Sequence, residues 1–116
     1  ESDIVDLFLK TIDLTLEPKD IVWKKESSLT VVLTSEGYPL SYEKGFEIKG
    51  HDELDESIIL FHNGTKYDEG KLLTNGGRVL SVTALAPSLD EARDLVYANV
   101  DKISFKGMFY RKDIGK

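Results

Sequence analysis

Arg78 directly follows Gly76-Gly77 and leads into the alternating residues Leu80, Val82 and Ala84. Strand alternation would put its side chain on their face. An arginine at the rim of an apolar face has to reach water, a carboxylate or a ligand anion. The two glycines would let a phosphate come close to backbone N–H groups. A second cation, Lys66, follows Asn63-Gly64-Thr65 and could join Arg78 around one phosphate across adjacent strands. Asn75, Gly76 and Gly77 would shape the turn beside them. The plainer alternative for each stays open: a hairpin turn whose arginine pairs with a surface acid, and a turn carrying a solvated lysine. A third stretch, Ser35 to Gly45, places Gly37, Tyr38, Pro39 and Tyr42 in one polar loop. It reads equally as a substrate lid, an interdomain contact, or a connection whose tyrosines pack on a sheet.

Other chemistry is poorly supported. His51 and His62 are too isolated to form a metal or catalytic pair, and Asp52, Glu53, Asp55 and Glu56 read as a solvated acidic run. No phosphate-binding Walker loop, dinucleotide fingerprint or nucleophile elbow is present. No catalytic or metal-ligating residue is therefore assigned. Cysteine is absent, which removes disulfides, thiolate zinc and cysteine nucleophiles, and is compatible with a cytoplasmic location. The net charge of -6 argues against generic binding to nucleic acid or anionic membranes. No apolar run approaches the ~20 residues of a membrane span. With 116 residues, 41% apolar and 31% charged, the chain suits one ordinary globular domain. It opens at Glu1 on residues that already read as helix, which suggests a piece of a longer protein.

The elements that would position these residues follow from periodicity. Val5, Phe8, Leu9, Ile12 and Leu16 recur at helical spacing, which predicts a helix over 3–16 with Ser2 as N-cap and Pro18 beyond its end. Strands are expected at 21–25, 29–34, weakly at 46–49, and at 58–62. Lys71–Thr74 and Arg78–Ala86 read as a hairpin joined by Asn75-Gly76-Gly77, where Asn-Gly supplies positive φ angles. Ser88-Leu89-Asp90-Glu91 is a capping box. A helix follows to about Ile103, with Ala92, Leu95, Val96, Val100 and Ile103 inward. A last strand is expected over 108–110. The order predicts an α+β fold: a small, mainly antiparallel sheet or partial barrel with a helix at the N-terminus and one in the C-terminal half.

Three stretches carry a resemblance. They are Val31-Val32-Leu33-Thr34-Ser35-Glu36-Gly37-Tyr38-Pro39 with its continuation to Gly45, then Phe61-His62-Asn63-Gly64-Thr65-Lys66 with Leu73-Thr74-Asn75-Gly76-Gly77-Arg78-Val79-Leu80, and the ending Gly107-Met108-Phe109-Tyr110-Arg111-Lys112-Asp113-Ile114-Gly115. In this order they resemble the last domain of the glycinamide ribonucleotide synthetase family, in the ATP-grasp superfamily. One departure is Leu40, where the family usually has glycine after Tyr-Pro. The resemblance implies a fold of the rudimentary single-hybrid-motif type. It implies residues 1–18 as a connecting helix from an ATP-grasp domain and 19–116 as the C-terminal domain. It also implies a parent ligase of purine biosynthesis that joins 5-phosphoribosylamine to glycine with ATP and Mg²⁺, forming glycinamide ribonucleotide. The partners implied are those substrates together with the parent's ATP-grasp and N-terminal domains. This stretch would hold no cofactor and be inactive alone. Its part would be to close the substrate cleft, with Lys66 and Arg78 on the ribose phosphate. A different class of reading is a non-catalytic partner-binding module, related in fold to the rear domains of biotin-dependent carboxylases. The sequence upstream of Glu1 would discriminate the two.

Overall fold

Alternating apolar residues in β1 (Ser27–Ser35) and β5 (Arg78–Ala86) build the centre of the molecule in a computed structural model that describes residues 1–116. The two strands pair antiparallel, with Leu29, Val31 and Leu33 opposite Ala84, Val82 and Leu80. β2 (Ile59–His62) lies on the other side of β5. β6 (Met108–Phe109) closes the far edge, giving the open antiparallel order β2-β5-β1-β6.

α2 (Leu89–Val100) covers one face of this sheet through Ala92, Val96 and Val100, all fully buried. Each large apolar side chain taken out of water there contributes about 1.5–3 kcal/mol. Ser88 caps the helix as expected, its Oγ accepting from the Glu91 N–H at 3.2 Å. The helix stops at Val100 and Ile103 follows in a turn, still buried. The buried Asn99 was not anticipated. Its amide donates to the Asp55 carboxylate (2.8 Å) and to the Leu95 carbonyl (2.9 Å), while its oxygen accepts from the Asp55 N–H (2.9 Å). Asn99 thus ties the acidic loop to α2. Lys102 and Asn99 together hold the Asp55 carboxyl below its usual range.

The expected hairpin between residues 71 and 86 does not form. β4 (Lys71–Thr74) instead pairs with β3 (Thr65–Asp68), a strand the periodicity missed, in a separate two-stranded sheet. The turn between them is Glu69-Gly70, with φ of 47° and 79°. Those positive angles suit the right-handed twist of a two-residue hairpin. Neither Gly76 nor Gly77 has positive φ. They are required by closeness, because a Cβ on Gly76 would stand 3.0 Å from the Gly64 Cα, and one on Gly77 would stand 2.1 Å from the Tyr38 ring.

The N-terminal expectations need correction as well. α1 (Ile4–Ile12) is capped by Asp3, whose carboxylate accepts from the Val5 N–H at 2.7 Å; Ser2 instead bonds to residues 20 and 22. Residues 21–25 form no strand, and 46–49 contribute only two isolated bridges, Glu47 to Leu73 and Lys49 to Ser104. α1 has no buried residue, and Phe8 is 60% exposed. Ties such as Lys10–Asp20 hold residues 1–22 together as a projecting arm. The radius of gyration is accordingly 17.1 Å, against about 13 Å for a compact chain of this length. No helix is long and apolar enough to cross a membrane.

Candidate functional site

The sheet face turned away from α2 has no helix over it. Thr30, Val32 and Thr34 of β1, Ser81 and Thr83 of β5, Ile59 and Phe61 of β2, and Phe109 of β6 share it by register. Arg78 belongs to this face, not to that of Leu80, Val82 and Ala84 as simple alternation predicts. A bulge between Leu33 and Thr34 shifts the register, so that Leu33 faces Leu80 but Thr34 faces Arg78. One extra residue re-aims a side chain across the sheet, and bulges are common where that serves a site.

Arg78 stands between two depressions that share Val32, Tyr38 and the arginine itself. One, of about 540 Å³, is polar and is completed by Tyr42, Asn63, Gly76, Gly77 and Ser81. The other, of about 320 Å³, is more apolar and includes Thr34, Phe109, Tyr110 and Arg111. Neither is lined by an Asp or Glu, although the chain carries 21 of them. Arg93 holds Asp90 and Asp94, and Arg111 holds Asp113, whereas Arg78 has no ion pair and no side-chain hydrogen bond.

The glycines beside it add donors. Ser35 engages both carbonyls, its Oγ donating to Gly76 O at 2.9 Å and its N–H to Gly77 O at 2.8 Å. A trans peptide aims its N–H opposite its carbonyl, so the Gly77 N–H points away from the end of β1. Neither the Gly76 nor the Gly77 N–H donates to a protein acceptor. Adjacent free N–H groups beside a guanidinium are an arrangement that takes a tetrahedral oxyanion.

The other expected residues fall variously. Asn75 is exposed, spends its N–H on Gly64 O at 2.7 Å, and lines neither depression. Lys66 lies on β3, lines neither depression, and pairs with Asp68 at 3.0 Å. Tyr38 and Tyr42 pack with ring centres 6.2 Å apart against Gly77. Gly37 turns the loop beneath them with φ of 86°, while Pro39 is exposed and lines neither depression. Asn63 and Ser81 were not anticipated; the Asn63 amide donates to Ser81 Oγ at 2.6 Å on the floor of the polar depression. Asn63 stands beside the Gly64 already noted, which was the available signal. No three His, Asp or Glu side chains gather in a metal-holding group.

Comparison with known proteins agrees with this architecture. The family profile described as "Phosphoribosylglycinamide synthetase, C domain" matches residues 28–116. A phosphoribosylamine–glycine ligase of Halalkalibacterium halodurans is 45% identical over 115 residues, covering 99% of this chain and 26% of the relative. The corresponding ligase of Caldanaerobacter subterraneus is 44% identical over 111 residues, covering 92% and 26%. A bifunctional purine biosynthetic protein of Pichia angusta is 44% identical over 115 residues, covering 98% of this chain and 15% of its own length. The crystal structure of phosphoribosylamine–glycine ligase from Thermotoga maritima superposes with a TM-score of 0.78 at 36% identity, covering 94% of this chain and 26% of that one. The chain thus spans about a quarter of the ligases it matches.

Proposed function

The chain belongs to the phosphoribosylglycinamide synthetase C-domain family, and from that membership we propose that it serves as the substrate-phosphate wall of a phosphoribosylamine–glycine ligase. The parent would join 5-phosphoribosylamine to glycine in purine biosynthesis, in the cytoplasm, converting ATP to ADP and phosphate. ATP and Mg²⁺ would sit in the ATP-grasp body. Residues 1–18 would connect to that body and 19–116 would form the C-terminal domain. The apolar stripe of α1, bare in this chain, is suited to seat on such a neighbour.

One observation carries the reading: Arg78 has no protein anion, yet stands beside the unused Gly76 and Gly77 N–H groups in depressions free of acids. A ribose phosphate would supply the missing anion. Gly76 and Gly77 would meet it through the backbone, Asn75 would support the turn, and Lys66 would contribute by leaving Asp68. The loop of Gly37, Tyr38, Pro39 and Tyr42 would close the cleft's edge. This role is positioning and charge neutralisation, with no proton transfer assigned to the chain. The test is reconstitution of activity. The full-length protein should form glycinamide ribonucleotide from phosphoribosylamine, glycine and MgATP, lose that activity when residues 28–116 are deleted, and show none from the present chain alone. Turnover by the chain alone, or a deletion without effect, would overturn the assignment.

A further inference from the structure

We infer that Arg111 is the second guanidinium of the anion site, opposite Arg78 across the apolar depression; this rests on the phosphate reading of Arg78. The register brings the two together. Arg78 and Phe109 flank Thr34 on one rung of the β5-β1-β6 array. Strands are spaced about 4.8 Å apart, so their Cα atoms stand about 10 Å from each other. Arg111 lies two residues beyond Phe109 and lines the same depression as Arg78. Two arginine side chains that line one depression can turn toward one phosphate between them.

The surroundings of Arg111 look built for this. Its backbone is fastened to α2, because the Tyr97 hydroxyl donates to Arg111 O at 2.8 Å and accepts from the Ile114 N–H at 3.1 Å. Asp113 takes the guanidinium side-on, with Nε to Oδ1 at 2.9 Å and Nη2 to Oδ2 at 2.7 Å. That leaves Nη1 without a protein partner and the Nη1–Nη2 edge open. This end-on edge is the fork that matches two oxygens of a phosphate. Asp113 is thereby a positioning residue that orients the guanidinium. The pair of forks selects a phosphomonoester dianion seated at Arg78, which both depressions share, with Gly76 and Gly77 lining one side of it and Arg111 the other.

The experiment is an NMR titration of the full 116-residue chain with ribose 5-phosphate, following the arginine Nε–H signals and the Gly76 and Gly77 amides. Arg78 and Arg111 should shift along one saturation curve, and ribose alone should move neither. Arg111→Gln should weaken binding about tenfold, the loss of one charge-assisted contact. Asp113→Asn, which breaks the same ion pair but keeps the guanidinium, should retain binding within about twofold to threefold. If Arg78 shifts while Arg111 does not, or if Arg111→Gln binds like the parent chain, the inference on Arg111 fails and the Arg78 site stands. Equal loss in both variants would mean that the ion pair only shapes the tail, and would also overturn it. If neither arginine shifts, the phosphate reading itself falls.

Discussion

Replacing Gly64 by alanine should cost far more than replacing Gly77, although both lie in the same turn cluster. A methyl on Gly64 would stand 2.6 Å from Arg78 O and 2.8 Å from the Gly76 Cα. Both obstacles are backbone, and neither can rotate away. Overpacking of this kind costs about 1–3 kcal/mol. The bonds Gly64 N to Val79 O (3.0 Å) and Asn75 N to Gly64 O (2.7 Å) would lengthen as the strands part, adding about 1 kcal/mol. The expected loss is about 2–4 kcal/mol, or about 8–16 °C in melting temperature for a chain of this length. Gly77→Ala meets only the Tyr38 and Tyr42 rings, at 2.1 Å and 2.9 Å. Tyr38 is 39% exposed and can swing outward, so about 1 kcal/mol, about 4 °C, is expected. The swing would open the wall beside Arg78 and weaken ribose 5-phosphate binding without unfolding the chain. Gly70→Ala, with φ of 79° and open space around it, is the control for backbone strain alone, at about 1–2 kcal/mol. Thermal unfolding by circular dichroism, with phosphate titrations on the same samples, would read all three. A Gly64→Ala chain melting within about 2 °C of its parent, or a Gly77→Ala chain that loses as much as Gly64→Ala, would refute the reasoning.

Asn99→Ala should lower stability by about 2–3 kcal/mol, since a fully buried amide with three hydrogen bonds is removed; a denaturant midpoint equal to that of the parent would contradict this. Phe8→Ser should leave the melting temperature of the chain within about 2 °C, because α1 buries nothing here; a large drop would mean that the arm packs on the domain. Acid should destabilise the fold in a defined window. Lys10 and the Glu17 backbone lower the Asp20 carboxyl, Lys102 and Asn99 lower Asp55, and Arg111 lowers Asp113. Each such contribution is fully present above the ordinary carboxylate value near 4 and is lost as pH falls through the lowered folded value. Asp55→Asn combined with Asp113→Asn should therefore flatten the acid limb of melting temperature against pH; an acid limb unchanged in the double variant would rule those two groups out.

Local patterning revealed β1, β2 and α2, since Leu29-Val31-Leu33 and Ala92-Val96-Val100 each mark one buried face. The partner of β4 was hidden. Asn75-Gly76-Gly77 looks like a hairpin turn, but the tight turn is Glu69-Gly70, whose glutamate is an unusual choice for positive φ. The bulge after Leu33 leaves no mark in the alternation, so the face of Arg78 could not be read from residue types. α1 has the stripe of a packed helix, yet nothing in the chain covers it. The residue types around Gly76, Gly77 and Arg78 allowed an anion site beside the plainer reading of a turn with a surface arginine. That the two glycine N–H groups are unused, and that Lys66 on β3 pairs with Asp68 and lines neither depression, became visible only once every donor had a place.

The most direct measurement is steady-state kinetics of the full-length ligase carrying Arg78→Ala, with phosphoribosylamine varied at saturating glycine and MgATP. If Arg78 holds the ribose phosphate in both ground and transition states, KM for phosphoribosylamine rises about tenfold or more, with kcat and the KM values for glycine and ATP nearly unchanged. An unchanged KM for phosphoribosylamine in a folded variant would contradict the account.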